Sequence, residues 1–76
     1  MSFQAYLRNI EAKTGQTPTD FRNLAEKKGF TMNGKVLPGV KAGAVVEWLK
    51  ADYQLGHGHA MAIYALLKGY KDEGSP

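Results

Sequence analysis

The sequence predicts a small all-α domain of four short helices. Three observations predict it: apolar residues recur at helical spacing in four segments, capping residues or glycines bound those segments, and the chain has only 76 residues. Hydrophobic residues make up 43% of the chain, which argues against disorder. There is no cysteine, so disulfides and thiolate metal sites are excluded.

The first helix has one apolar face and a clear boundary at each end. Ser2 is a good N-cap residue, and Gly15 ends the helix in the left-handed conformation that glycine adopts at little cost. The residues that share the i, i+3, i+4, i+7 spacing of one helical face are Phe3, Tyr6, Leu7 and Ile10. We therefore expect this face to enter the core.

The second helix has the most complete set of boundary signals. Thr17 is the N-cap, Pro18 occupies the first turn, and Asp20 lies where a capping-box acid bonds back to the cap. Gly29 ends the helix, and Phe30 is the apolar residue that often follows a glycine cap. The apolar stripe of this helix is short: Phe21, Leu24 and Ala25.

The segment between the second and third helices contains two turn signals. Asn33-Gly34, between Thr31-Met32 and Lys35-Val36, is typical of a type I′ hairpin, because that turn needs positive φ at both central positions. Arms this short are marginal, so a tiny β-hairpin and an irregular loop stay open as alternatives. The run from Leu37 to Val40 then predicts a tight turn, since Pro38 sets φ and Gly39 takes a positive φ.

The third helix should run from about Lys41 to Gln54. Its apolar stripe at helical spacing consists of Ala42, Val45, Val46, Leu49 and Tyr53. Trp48 lies about 120° from the centre of that stripe, at about 100° per residue. Two alternatives follow for Trp48: it packs against a second neighbour, or it is partly exposed.

The fourth helix should run from His59 to Lys68, and it is apolar nearly all the way round. We expect Gly56 to end the third helix, Gly58 to precede the fourth, and Gly69 to end it. A helix without a polar face lies at the centre of a fold or is covered by a partner. The fourth helix should therefore be the most buried, in a fold of two antiparallel or crossed helix pairs.

The whole chain reads as one domain. Residues 1–69 form the helical domain, and residues 70–76 are expected to be a flexible C-terminal tail. The start of the chain has no signal-peptide pattern, and the longest apolar run, Ala60 to Leu67, is far shorter than the ~20 residues of a membrane span. The absence of cysteine fits a reducing compartment. We expect a cytoplasmic protein that does not contact membranes.

Residues for catalysis are scarce. The only serines, Ser2 and Ser75, lie near the termini, and the threonines lie at or near helix caps and in the loop, so a catalytic triad has no nucleophile. Glu47 and Asp52 share the third helix without converging on one face. Four short helices also leave little room for a pocket of roughly 300 Å³ or more. We expect no catalytic residues, no enzyme activity and no cofactor.

The run from Leu55 to Ala60, Leu-Gly-His-Gly-His-Ala, is the most distinctive segment of the chain. Its glycines let the backbone approach a ligand closely, and the N–H groups and dipole of the following helix favour an anion. The imidazoles of His57 and His59 can donate hydrogen bonds to a phosphate or carboxylate. The alternative is structural, a tight connection with local packing. Two imidazoles are too few for a closed zinc site, so we expect no metal.

The turn before the third helix is a second candidate for anion binding. Leu37-Pro38-Gly39-Val40 with Gly43 partly resembles the turn of helix-hairpin-helix DNA-binding motifs, which presents backbone N–H groups to a phosphate. Lys41 replaces the second glycine of that motif and can contact a phosphate itself. An ordinary helix-entry turn among solvated lysines is the alternative. The candidate residues for an anion or a nucleic acid are Lys35, Gly39, Lys41, Gly56, His57, Gly58 and His59.

A protein partner, or a second copy of the chain, is the rival hypothesis. Small domains without disulfides often gain stability by association, and the candidate residues are Trp48, Met61 and Tyr64. A well-packed four-helix core explains the same residues without a partner. Because the net charge is only +3, binding to phosphates should be weak. Phosphate binding should also fall steeply with salt, whereas apolar association should be insensitive to salt or become stronger.

Two stretches of the sequence resemble a known protein family. The first comprises Met1 to Leu7 and Lys13 to Pro18 with Phe21, and the second comprises Gly39 to Gly43, Val46, Trp48 to Lys50 and Leu55 to Ala62. From about Met1 to Lys68 the chain resembles a bacterial family catalogued as a domain of unknown function, number 4287. The resemblance implies a small soluble bacterial protein, sometimes joined to another domain, without an established activity. It transfers no catalytic or binding residues.

Overall fold

A computed structural model describes residues 2–72 and 74 of the chain. The elements, in chain order, are α1 (Phe3–Thr14), α2 (Pro18–Lys27), β1 (Thr31–Met32), β2 (Lys35–Val36), α3 (Ala42–Tyr53) and α4 (His57–Lys68). The four-helix prediction is confirmed. Of the two alternatives for the segment after α2, the tiny hairpin is present.

Side-chain caps hold the starts of α1 and α2, as predicted. The Ser2 hydroxyl accepts a hydrogen bond from the N–H of Ala5 at 3.2 Å. At α2 the Asp20 N–H donates to the Thr17 hydroxyl at 3.1 Å, and the Thr17 N–H donates to the Asp20 carboxylate at 2.9 Å. This reciprocal pair is a complete capping box.

Removing this capping box should weaken the fold measurably. Thr17→Ala is expected to lower the free energy of unfolding by about 1 kcal/mol, because the N–H of Asp20 loses its acceptor. Thr19→Ala is the matched control, since Thr19 lies exposed in the same helical turn, and it should cost less than about 0.5 kcal/mol. Urea denaturation followed by far-UV circular dichroism measures both. Equal losses at the two threonines would show that the cap is not the cause.

The hairpin has the register that its turn requires. Thr31 pairs with Val36 and Met32 with Lys35 in an antiparallel ladder. Asn33 and Gly34 have φ values of 54° and 79°, as the type I′ prediction requires. The following turn also forms, with Gly39 at φ 89° and the N–H of Val40 bonded to the Leu37 carbonyl at 3.1 Å.

Helix α4 lies at the centre of the packing. It packs against α1, α2 and α3, and β2 also contacts it. Its buried residues are Ala60, Ala62, Ile63, Leu66 and Leu67. The prediction that α4 is the central helix is therefore confirmed. The predicted division into two helix pairs needs a correction: α3 packs on α4, but α1 and α2 make their main helix contacts with α4, because α4 offers an apolar surface in several directions.

Trp48 packs against a second neighbour, which is the first of its two alternatives. Its side chain is only 6% exposed. The indole ring lies edge-on to the rings of Phe30 and Tyr53, with centroid distances of 5.5 Å and 5.9 Å. Helix α3 thus buries two faces, the stripe that includes Val45 and Leu49 and the side that carries Trp48.

The connection between α3 and α4 differs from the prediction. Gln54, at φ 56°, reverses the chain after α3, whereas Gly56, at φ −70°, is the N-cap of α4. The early reversal buries Leu55, which is 2% exposed, and the Lys13 ammonium donates to the Gln54 carbonyl at 2.7 Å. Helix α4 therefore begins at His57 rather than at His59. Gly58 lies inside its first turn.

The chain stays in contact with the helices just past α4. Gly69, at φ 81°, ends the helix, and the N–H of Tyr70 donates to the Ala65 carbonyl at 3.0 Å. Residues 1, 73, 75 and 76 lie outside the described part, so the domain limits 1–69 and the flexibility of residues 70–76 stay predictions. Within residues 2–72 and 74, no helix is both long and apolar enough to cross a membrane.

Candidate functional site

The first turn of α4 is an exposed group of backbone donors without a cap. The first N–H groups of any α-helix have no partner inside the helix. Here they belong to His57, Gly58 and His59, and the N-cap, Gly56, makes no side-chain capping bond. The first turn contains no acidic residue. The partial positive charge of the helix terminus is therefore not compensated locally.

The start of α3 has the same property. Lys41 is its N-cap and makes no side-chain capping bond, and the first turn has no acid. The side chain of Lys41 is exposed, as are Gly39 and Lys35. The residues before the turn form β2 rather than a helix, so the turn lacks the helical neighbour of a helix-hairpin-helix motif. What remains of the resemblance is the turn itself and the uncapped helix start.

The two predicted turns do not form one compact site. Lys41 precedes α3 and Gly56 follows it, and the helix between them has 12 residues. A helix of that length spans ~18 Å. A single phosphate group cannot contact both turns, so the seven predicted anion-binding residues divide into two groups: Lys35, Gly39 and Lys41 lie on one side of this span, and Gly56 to His59 lie on the other.

The backbone conformation at positions 56 and 58 does not require glycine. Neither has a positive φ, and a Cβ atom at either position would meet nothing within 4 Å. Alanine in place of Gly58 would even favour the helix. Both residues are exposed. Because neither glycine has a side chain, a ligand can approach the backbone closely at both positions.

The two histidines of this turn have different surroundings. His59 is half-buried, and its ring packs edge-on against Tyr6 of α1 with a centroid distance of 5.3 Å. Local packing, the structural alternative, therefore accounts for His59. His57 is exposed and is the imidazole that is free to turn toward a ligand beside the uncapped N–H groups.

A groove of about 260 Å³ between α1 and α4 adjoins this turn. Its lining consists of Phe3 and Tyr6 from α1, Gly58, Met61, Ala62 and Ala65 from α4, and Lys71. The α4 residues recur at i, i+3, i+4 and i+7, so they share one helical face. Sequence reasoning did not place Phe3, Tyr6 and Lys71 at a groove. The run of small residues on one face of α4 was the available signal, but it does not say which helix lies opposite.

The residues predicted for protein interaction differ in how much of their side chains is exposed. Met61 is 36% exposed and lines the groove, and Tyr64 is half-buried. Trp48 is buried against Phe30 and Tyr53, so it offers almost no surface to a partner. The aromatic cluster inside the fold already covers its ring, and a role for Trp48 in a protein interface stays a prediction.

A second cleft, of about 270 Å³, lies where the ends of α1 and α3 meet. Its lining consists of Lys13, Thr14, Asp52, Tyr53 and Gln54. Burial and the neighbouring Asp52 carboxylate raise the pKa of Tyr53 above its ordinary value, so the phenol stays protonated at neutral pH. The Lys13 ammonium is bonded to a backbone carbonyl. Within residues 2–72 and 74, no three His, Asp or Glu side chains are grouped as metal ligands.

Comparison with known proteins identifies the family. No curated protein and no solved structure matches the chain. The model of the family described as a domain of unknown function, DUF4287, matches residues 2–69. That match spans both uncapped turns and most of the groove lining. The chain belongs to the DUF4287 family.

Proposed function

We propose that this chain is a non-catalytic binding module that holds an anionic group, nucleic-acid phosphate first, at the N-terminal turn of α4. The observation that carries the proposal is the uncapped turn from Gly56 to His59, in which Gly56, His57 and Gly58 are exposed. Backbone N–H groups, a helix dipole and a free imidazole meet there with no carboxylate in the turn. Helix starts of this kind bind phosphates and carboxylates in many unrelated folds.

The expected affinity for one anion is low. A dipole–anion interaction at an exposed helix end contributes about 0.3–1 kcal/mol, and hydrogen bonds to a charged group contribute about 1.5–3 kcal/mol each. Two such bonds and the dipole together give about 3–7 kcal/mol, and association costs about 4 kcal/mol or more. Inorganic phosphate should therefore bind with a Kd of roughly several millimolar or weaker. Tighter binding requires a ligand that contacts more of the surface.

A nucleic acid can supply that additional contact. The start of α3, with Gly39 and Lys41, offers a second uncapped turn ~18 Å away, and Lys35 is exposed on the preceding strand. A phosphate backbone is long enough to reach both turns where a single anion is not. We therefore expect short DNA to bind more tightly than inorganic phosphate and to lose affinity steeply as salt rises.

The absence of suitable groups at the turn supports a non-catalytic role. An acyl- or phosphoryl-transfer site needs a nucleophile beside a base. The turn itself carries two polar side chains, His57 and His59, and the ring of Tyr6 of α1 contacts His59. In the part of the chain that the structure describes, no serine, threonine or carboxylate lines the adjoining groove.

An amide NMR titration tests the proposal. Labelled protein is titrated with inorganic phosphate and then with a short DNA duplex, each at about 50 and 200 mM salt. We expect phosphate to shift His57, Gly58 and His59, and DNA to shift Gly39 and Lys41 as well, with smaller shifts at high salt. Sodium chloride at matched ionic strength is the control. If the α4 turn responds to phosphate no more than to chloride, the proposal is wrong.

A further inference from the structure

We propose that the groove between α1 and α4 binds an extended acidic peptide segment, with one apolar side chain of that segment seated in the groove. The N-terminal end of this groove is the α4 turn described above, so the inference rests on the proposed function at that end only. The rest of the site is formed by other residues. Beyond the proposed anion site, this groove predicts a partner of defined chemistry, a peptide.

The groove has two distinct ends because α1 runs antiparallel along α4. Lys13, near the end of α1, contacts Gln54 just before α4 begins. At the other end, the Lys71 ammonium, just past α4, lies 5.7 Å from the centre of the Phe3 ring. Gly58 and Ala65, which line the two ends, are seven positions apart. That spacing corresponds to ~10 Å along the helix.

The middle of the groove suits a single apolar side chain. Its floor consists of small residues of α4, and Met61, 36% exposed, forms one wall. The volume of about 260 Å³ is below the ~300–1,000 Å³ that is usual for small-molecule sites. Phe3 is only 5% exposed, so it offers no free ring face for the base stacking that single-stranded nucleic acids use.

Both ends of the groove are positive. One end has the uncapped N–H groups of α4, and the other has the Lys71 ammonium. Among residues 2–72 and 74, no carboxylate lines the groove, and the carboxylate of the adjacent Asp72 accepts a hydrogen bond from the Gly74 N–H at 2.9 Å. This pattern is complementary to two carboxylates on either side of an apolar residue.

An extended peptide has the matching spacing. Its residues rise ~3.3 Å each and alternate side chains share one face, so two acidic residues four positions apart and an apolar residue midway between them all face the groove. The two carboxylates are then ~13 Å apart, enough to reach past Gly58 at one end and Ala65 at the other. A helical ligand would need about two turns to span the same distance, and isolated helices that short are marginal in water. The groove therefore favours an extended acidic segment.

Calorimetry and amide NMR with synthetic peptides test this inference. The probe is a short blocked peptide with acidic residues on both sides of one leucine. The first control peptide has glycine in place of the leucine, and the second has lysine in place of the acids. We expect the probe to bind and the two control peptides not to bind, and we expect the probe to shift the amide signals of Met61, Ala65 and Lys71. Equal binding of the glycine peptide would overturn the inference.

Protein variants locate the binding surface. Lys71→Glu should weaken peptide binding about fivefold or more, and Met61→Glu, which places a carboxylate in the groove, should weaken it further. Lys50→Glu is the control, because Lys50 is exposed on α3 and the change in net charge is the same. Far-UV circular dichroism checks that each variant is folded. If Lys50→Glu weakens binding as much as Lys71→Glu, only net charge matters and the inference is wrong.

The outcomes separate this inference from the proposed function. Phosphate shifts at His57 and Gly58 without any peptide effect at Ala65 and Lys71 would overturn the inference alone. Peptide binding along the groove without a phosphate response would overturn the proposed anion site at the turn instead. If duplex DNA shifts Ala65 and Lys71 more strongly than the peptide does, a nucleic acid is the occupant and the peptide proposal fails.

Discussion

Replacing Trp48 with alanine should lower the free energy of unfolding by about 3–5 kcal/mol. The indole is 6% exposed and packs edge-on against Phe30 and Tyr53, so its removal leaves a cavity and ends two aromatic contacts. Single domains have about 0.05–0.15 kcal/mol of stability per residue, which for 76 residues is roughly 4–11 kcal/mol. The loss is therefore a large fraction of the total stability, and the denaturation midpoint should fall sharply.

Chemical denaturation followed by far-UV circular dichroism measures this loss, since the variant has no tryptophan fluorescence. Met61→Ala is the matched control: Met61 is a large apolar residue that is 36% exposed, and its truncation should cost less than about 1 kcal/mol. Trp48→Phe should recover part of the stability because a ring remains in the cluster. If Trp48→Ala keeps the stability of the parent chain but changes its oligomeric state, Trp48 is an interface residue after all.

Trp48 also shows how far helical periodicity can be used. The spacing of apolar residues along α3 gives the direction of Trp48 relative to the main stripe, but not what occupies that direction. The neighbour turned out to be Phe30, which follows α2 and reaches Trp48 through the tertiary fold. By contrast, the caps at Ser2 and Thr17 and the turn at Asn33-Gly34 depend on contacts within three or four residues. Those features could be predicted because their causes are local.

The boundary between α3 and α4 shows a tertiary effect that overrides a local preference. Glycine is the preferred residue for a left-handed helix end, which favoured Gly56, whereas a glutamine in that conformation costs about 1–2 kcal/mol. The chain nevertheless reverses at Gln54. Burial of Leu55 and the Lys13 hydrogen bond offset that cost. Neither compensation is visible before α1 is placed beside this connection.

The candidate site was predicted in its parts but not in its arrangement. The Gly-His-Gly-His segment pointed to an exposed helix start, and the helix start is present, two residues earlier than expected. The separation of the two turns was within reach of the sequence, because the predicted length of α3 already places Lys41 and Gly56 far apart. The groove could not be predicted from the sequence, since it exists only where α1 lies against α4 and nothing in the sequence pairs those two helices.

Placing an acid at the N-cap of α4 should separate binding from stability, because the two effects have opposite signs. In Gly56→Asp, the backbone at φ −70° and ψ 167° suits a capping residue, and the new side chain meets nothing within 4 Å at its Cβ. Its carboxylate can accept from the N–H groups of Gly58 and His59. The cap and the helix dipole together should raise the free energy of unfolding by about 0.5–1 kcal/mol.

The same carboxylate should weaken anion binding more than tenfold, because it occupies the N–H donors and repels the ligand, and two lost hydrogen bonds exceed ~1.4 kcal/mol. Phosphate titration by amide NMR and urea denaturation are measured on one preparation. Gly56→Asn is the matched control: it caps the helix with a neutral side chain of nearly the same shape, so it should stabilise the fold and lose less binding than Gly56→Asp. A Gly56→Asp protein that is more stable yet binds phosphate like the parent chain would mean that the anion site lies elsewhere.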